Sequence, residues 1–125
     1  METIHNRIAR WRREFNHTKG EIIFESKFID MIDDGIKTTT VRPGVRNYEP
    51  GVYDLFNPAK SVHGYIKIKG TSVIMFRQLT DEIAKMNAFN SVNELKSELL
   101  RSYPYLKSDD TVTIVYLEKY NNEES

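Results

Sequence analysis

The segment GIKTTTVR, residues 35–42, concentrates two cations and three hydroxyl groups within six consecutive residues. Its glycine can adopt the left-handed backbone that ends a helix, and the β-branched residues after it favour extended backbone. Pro43 and Gly44 then interrupt any regular structure. The segment is therefore predicted to leave a helix, run as a strand and enter a loop.

The same residue types can bind a ligand. Arg42 offers a planar fork that matches a phosphate or a base edge, and Lys37 offers a point charge whose pKa falls when it is desolvated. Threonine hydroxyls both donate and accept hydrogen bonds. This combination suits an anionic or nucleoside-like ligand. The alternative is an edge strand, in which threonine is favoured by propensity and lysine guards against aggregation.

Hydrophobic spacing predicts the elements on either side of this segment. A short strand at 21–24 and a helix containing Phe28 and Ile32 precede it. The elements expected after it are strands at 52–56, 63–77 (broken at Gly70) and 110–120, a helix capped by Thr80, and a helix over 91–103 with Leu95, Leu99 and Leu100 buried. This order does not alternate as βαβ units do, so it predicts an α+β domain built round a small curved sheet or barrel.

The two ends of the chain differ from this core. Ile4, Ile8, Trp11 and Phe15 form one apolar stripe at helical spacing, which predicts an amphipathic helix within residues 1–19. We interpret that segment as an N-terminal extension able to contact another protein. Residues 20–120 form the predicted domain, and 121–125 form a frayed tail.

Composition excludes several classes of protein. A chain of 125 residues with 39% hydrophobic residues fits one compact soluble domain. The absence of cysteine excludes disulfides, thiolate metal sites and a cysteine nucleophile. The three histidines have no ligand spacing, so we expect no metal site and no cofactor. Apolar runs are too short for a membrane span, and the charged N-terminus is unlike a secretion signal, so we expect a cytoplasmic protein.

Charge is balanced overall but is distributed in blocks. Eighteen basic residues face eighteen acidic ones, yet residues 37–77 hold seven bases against two acids and residues 1–19 hold five against two. Such blocks can create a basic face that binds nucleic acid or a nucleotide. Alternatively, the basic strands simply pair with acidic helices. Overall neutrality favours a local pocket for one nucleotide or a short single strand over a general polyanion surface.

The quoted segment also carries a family resemblance. Gly35-x-Lys37-Thr38-x-Thr40-x-Arg42, followed by Tyr48-x-Pro50-Gly51 and later by Leu79-Thr80-Asp81-Glu82 and Phe89, resembles the ASCH domain of the PUA-like superfamily over about residues 21–120. The resemblance implies a small PUA-like β-barrel with flanking helices. It also implies a cleft beside the Lys-Thr segment that binds RNA or a modified nucleoside, without a membrane partner.

Two enzymatic alternatives follow from the same resemblance. Some small ASCH proteins remove the acetyl group from acetylcytidine; by the motif match, Lys37 would be the base and Thr40 the nucleophile. The expected catalytic glutamate is replaced by Asn87. Other ASCH proteins are ribonucleases, a role that would use Lys37, Arg42 and Tyr48. Whether the protein is an enzyme therefore stays open.

The predicted ligand-binding residues share polar or aromatic side chains within or beside the motif: Lys37, Thr38, Thr40, Arg42, Tyr48 and Asn87. Side chains of a regular strand alternate between its two faces. Lys37 and Thr40 would therefore point to opposite faces, and they can cooperate only if the segment bends between them.

Overall fold

The structure is a computed structural model that describes residues 18–120. Residues 1–17 of the predicted N-terminal extension, including its helical stripe, lie outside this range, and so does the predicted tail at 121–125. Thr18 and Lys19 belong to no helix or strand: the Thr18 hydroxyl donates to Asp54 Oδ2 at 2.8 Å, and the Lys19 amide donates to the carbonyl of Val52 at 2.8 Å. The chain therefore enters the domain alongside a strand of its sheet.

Five strands and three α-helices make up the described part of the chain. In order they are β1 (Glu21–Ile23), α1 (Ser26–Asp33), β2 (Thr39–Pro43), β3 (Gly51–Phe56), β4 (His63–Met75), α2 (Asp81–Met86), α3 (Val92–Ser102) and β5 (Thr111–Lys119). A single 3₁₀ turn, Phe76–Gln78, joins β4 to the helices. Thr80 and Ser91 cap α2 and α3, as the sequence predicts.

The strands form one mixed sheet in the order β1-β3-β4-β5-β2. Only β1 and β3 are parallel, and the other pairs are antiparallel. The sheet curls so far that Arg42 Nη2, on one edge strand, donates to the carbonyl of Ile23, on the other, at 3.0 Å. The architecture is therefore α+β, as predicted. Its sheet is a half-barrel that stays open between β1 and β2, where the sequence had suggested a small barrel.

β4 is the strand that bends. Its register against β5 shifts between Ile68 and Gly70, which confirms the predicted break at Gly70. An irregularity of this kind bends a strand and increases its twist. One 13-residue strand can therefore pair with β3 along its first half and continue along β5 for the rest.

Two hydrophobic clusters hold helices against the two faces of the sheet. Ile29 and Ile32 of α1 pack in the first, and Leu95 and Leu99 of α3 pack in the second. β5 serves both, since Val115 and Leu117 belong to the first cluster and Val112 and Ile114 to the second. Successive strand residues face opposite sides, so this interior strand carries apolar residues on both faces.

The prediction that Leu100 is a core residue is wrong. Leu100 is 38% exposed, whereas Leu95 and Leu99 are buried. Five residues along an α-helix correspond to a rotation of about 140° from Leu95, because each residue advances by about 100°. Leu100 therefore lies beside the buried stripe of α3 and faces solvent.

Candidate functional site

A cavity of about 200 Å³ lies at the β2 edge of the sheet, where α1 and α3 approach each other. Its walls include the predicted residues Lys37, Thr40, Arg42 and Asn87, together with the rings of Phe24, Phe28 and Phe89. Residues fifty positions apart in sequence thus share one small space. The question is what local structure brings them there.

The turn after α1 delivers Lys37. Gly35 has a φ of +75°, and the amides of Ile36 and Lys37 both donate to the carbonyl of Met31, at 2.9 and 3.1 Å. This wraps the chain back over the end of the helix before β2 begins at Thr39. Lys37 therefore precedes the strand. The alternation that would separate it from Thr40 does not apply, and both residues line the cavity.

The end of α2 meets the same segment. The amide of Thr38 donates to the carbonyl of Met86 at 2.8 Å, and the Thr38 hydroxyl approaches the same oxygen at 3.4 Å. Asn87 caps α2, and Ala88 after it has a φ of +70°. Thr38 is not among the cavity-lining residues. Its contacts with Met86 instead hold the turn that contains Lys37 against the end of α2, where Asn87 lies.

Lys37 is 3% exposed, which is rare for a lysine. Its Nζ donates to the carbonyl oxygen of Asn87 at 3.2 Å and to the side-chain Oδ1 of the same residue. The rings of Phe28 and Phe24 flank the amine, with centroids 4.9 and 6.0 Å from Nζ. No carboxylate among the described residues forms an ion pair with it.

This environment changes the protonation of the amine. Burial, and secondarily the positive charge of Arg42, lowers the pKa of Lys37 from 10.5 to about 7. Near neutral pH a large fraction of the amine is therefore uncharged. In that form its two hydrogens can both be held by the oxygens of Asn87, which leaves the nitrogen lone pair available as a base.

Arg42 occupies the opening of the half-barrel. Its guanidinium carbon lies 4.9 Å from the centroid of the Phe24 ring, and Nη2 is bound to the carbonyl of Ile23. Nε is buried and has no hydrogen-bond partner in the described part of the chain. Thr40, two residues earlier on the same strand, is 6% exposed and shares the face that lines the cavity.

Two acids at the rim were missed by the sequence reasoning. Glu25, at the start of α1, and Glu98, on α3, both line the cavity. The guanidinium of Arg101 lies 3.8 Å from Glu25 and hydrogen-bonds Glu98, and that hydrogen bond is the main reason why the pKa of Glu98 is lowered. The sequence contains a signal for Glu98, because it follows the buried Leu95 by three residues and directly precedes the buried Leu99. This spacing places it near the inward side of α3.

Tyr48 does not join the site. Its ring packs edge-on against Tyr53, with centroids 5.7 Å apart, and contacts the first hydrophobic cluster. It is not among the residues that line the cavity. The structure therefore brings four of the six predicted residues together and places Thr38 and Tyr48 in the surrounding structure.

Neither a family model nor a curated protein matches the sequence. Solved structures do match the fold. An ASCH domain from Lactobacillus crispatus superimposes with a TM-score of 0.71 over 90% of this chain and 91% of its own, at 10% identity. The chain has the ASCH-domain fold. This confirms the resemblance of the sequence at the level of structure.

Other solved structures have a similar fold. Protein EF3133 from Enterococcus faecalis gives a TM-score of 0.68 at 10% identity, over 94% of this chain and 90% of its own. A variant of the ASCH protein from Zymomonas mobilis gives 0.57 at 15% identity, over 82% and 71%. At these identities the likeness concerns the ASCH fold, and the chemistry of the cavity has to be argued from this chain's own residues.

Two negative findings hold over residues 18–120. No helix there is long and apolar enough to cross a membrane. No group of three or more histidine or acidic side chains there is arranged to hold a metal ion.

Proposed function

We propose that the protein binds RNA or a modified nucleoside through this cavity. The observation that carries the proposal is the pairing of Lys37 and Arg42 with aromatic rings inside one small space. Typical pockets for drug-sized ligands measure roughly 300–1,000 Å³. A cavity of about 200 Å³ is thus suited to only part of a nucleoside or nucleotide, with the remainder of the ligand outside.

The cavity offers the contacts that recognition of a base requires. The half-buried rings of Phe28 and Phe89 present aromatic surface, against which bases stack in RNA-binding proteins. The Thr40 hydroxyl and the Asn87 side-chain Nδ2 donate no hydrogen bond to any described residue and can address the edge of a base. The Lys37 amine, which the turn after α1 holds in the cavity, can make a third polar contact with the base.

Binding is expected to depend on the side chains that line the cavity. Lys37→Ala and Arg42→Ala should each weaken binding of cytidine, acetylcytidine or a short single-stranded RNA by about tenfold or more, since hydrogen bonds from charged groups are worth roughly 1.5–3 kcal/mol. Titration calorimetry at low salt measures this. Lys69→Ala, an exposed change within the same basic block, is the matched control. Unchanged affinity in both cavity variants would refute the proposal.

A second candidate is hydrolysis of the acetyl amide of acetylcytidine. The observation that favours it is an amine with a pKa of about 7 in the same cavity as the Thr40 hydroxyl. Neutral Lys37 would take the hydroxyl proton as Thr40 Oγ1 attacks the amide carbonyl, cytidine would leave carrying a proton, and water would hydrolyse the acetyl ester to acetate. RNA cleavage would need Tyr48 to act from outside the cavity lining.

The deacetylation hypothesis predicts a specific pH profile. The rate of cytidine formation should rise as the pH increases through about 7, because the base must lose its proton before it can act. Lys37→Arg keeps the positive charge but cannot deprotonate, so it should reduce the rate by at least about 100-fold. Chromatography of acetylcytidine reactions measures both effects. If the protein forms no cytidine from acetylcytidine at any pH near neutral, the deacetylation hypothesis is excluded.

A further inference from the structure

We propose that the natural ligand carries a phosphate monoester, and that this anion binds between Lys37 and Arg42. This inference rests on the proposed function of the same cavity and narrows its ligand from a nucleoside to a nucleotide, either free or at the end of an RNA strand. It follows from charges and donors that the protein itself leaves unmatched.

The first observation is that neither cation has an acidic partner. Lys19, Lys60, Lys67 and Arg77 each lie within 4.0 Å of a carboxylate. Within residues 18–120, no carboxylate reaches either Lys37 or the guanidinium of Arg42 at such a distance. When Lys37 is protonated, its buried charge and the half-buried charge of Arg42 repel each other, so an anion bound between them would stabilise both.

The second observation is the geometry of Arg42. Its guanidinium carbon lies 4.9 Å from the centroid of the Phe24 ring, and Nη2 is already used by the carbonyl of Ile23. These two contacts hold the group in position, while the buried Nε has no hydrogen-bond partner among residues 18–120. A fixed guanidinium with a vacant, desolvated donor is suited to an oxyanion, and such buried donors are normally satisfied.

The acids of the cavity do not neutralise this pair. Glu98 is hydrogen-bonded by Arg101, and Glu25 lies 3.7 Å from Lys27 and 3.8 Å from Arg101. Both carboxylates are thus engaged by cations outside the cavity. The cavity has one positive end at Lys37 and one acidic rim, and the phosphate belongs at the positive end.

Phosphate fits this end better than a carboxylate does. Two hydrogens of the Lys37 ammonium are held by Asn87, which leaves one for a ligand, while Arg42 approaches from a different residue of the motif. A carboxylate presents two oxygens in one plane. A phosphate monoester presents three terminal oxygens in a tetrahedral arrangement, so it can accept from both cations at once.

The test compares ligands that differ only in the phosphate. Wild-type protein is titrated with cytidine, cytidine 5′-monophosphate and inorganic phosphate, and with a short RNA with and without a 5′-phosphate. We expect the phosphorylated member of a pair to bind about tenfold or more tightly, and this gain to shrink as salt is raised. A gain between cytidine and its monophosphate indicates a free nucleotide as the ligand. A gain only between the two RNAs indicates the phosphorylated end of an RNA strand.

A variant pair locates the effect. Arg42→Gln removes the charge but keeps a polar side chain with N–H groups, so it should abolish the gain in affinity that the phosphate gives. Arg77 is an exposed arginine paired with Asp109, so Arg77→Gln removes the same charge away from the cavity. This variant should retain the gain in affinity that the phosphate gives. Thermal unfolding and circular dichroism establish that both variants are folded.

Each outcome separates this inference from the proposed function. Equal affinity for cytidine and its monophosphate would overturn the phosphate site and leave nucleoside binding intact. A gain that survives in Arg42→Gln would also overturn it. Binding of inorganic phosphate that depends on Arg42, without any binding of nucleosides, would support the phosphate site and refute the proposed function.

Discussion

The free energy of unfolding should increase by about 2–3 kcal/mol between roughly pH 6.5 and pH 9, and Lys37→Met should abolish this increase. The pKa of Lys37 is about 7 in the folded protein and 10.5 in the reference state. Between these values the unfolded chain binds more protons than the native one, so stability rises with pH. Below about pH 7 both states are protonated and the full cost of the buried charge is present.

The Lys37→Met variant replaces the amine with an apolar side chain of similar length against Phe24 and Phe28. It should be more stable than wild type at pH 6.5, because the buried charge is gone, although the two oxygens of Asn87 lose a donor. Urea unfolding at a series of pH values measures the difference. Lys69→Met, at an exposed position, should retain the wild-type slope. A parallel profile for Lys37→Met and wild type would show that Lys37 is protonated normally.

The second large effect is expected from Asn87→Asp, which places a carboxylate against the Lys37 amine without changing its size. An opposite charge at this distance raises a lysine pKa by about 1–3 units. The pKa of Lys37 should therefore move from about 7 towards its ordinary value. The pH dependence of stability should flatten over the same range.

Carbon-detected NMR titration of the lysine Cε resonances measures this pKa directly. Asn93→Asp adds the same charge at an exposed position of α3 and should leave Lys37 unshifted. The variant also tests the deacetylation candidate, since a lysine that stays protonated at neutral pH cannot act as a base. An unchanged Lys37 pKa in Asn87→Asp would contradict the hydrogen bond between these two residues.

Much of the fold was predictable because local signals agreed with it. Thr80 and Ser91 begin helices where capping residues predict, and the break at Gly70 coincides with the register shift in β4. The open edge between β1 and β2 was not predictable, since it depends on long-range pairing. The prediction that Leu100 is buried is wrong, because adjacent leucines on a helix cannot both face one narrow contact.

The site was predicted in part, for a comparable reason. The motif identifies Lys37, Thr40 and Arg42, but the alternation of a regular strand would place the first two on opposite faces. Lys37 lies outside the strand because the turn after α1, closed on the Met31 carbonyl, delays the start of β2 to Thr39, and such an exact strand boundary cannot be located from residue types alone. Glu98 was missed because its significance depends on how α3 packs against the motif strand.

The sheet order has a consequence for the time at which the cavity can form. Within the described residues, β2 pairs with β5 alone, and Thr40 lies opposite Val115. Contacts of such large sequence separation form late, because a long loop must close first. During synthesis the strand that carries Thr40 and Arg42 has no partner until residues 111–119 have left the ribosome. A nascent chain lacking β5 should therefore have no binding activity, even though the whole motif has already been made.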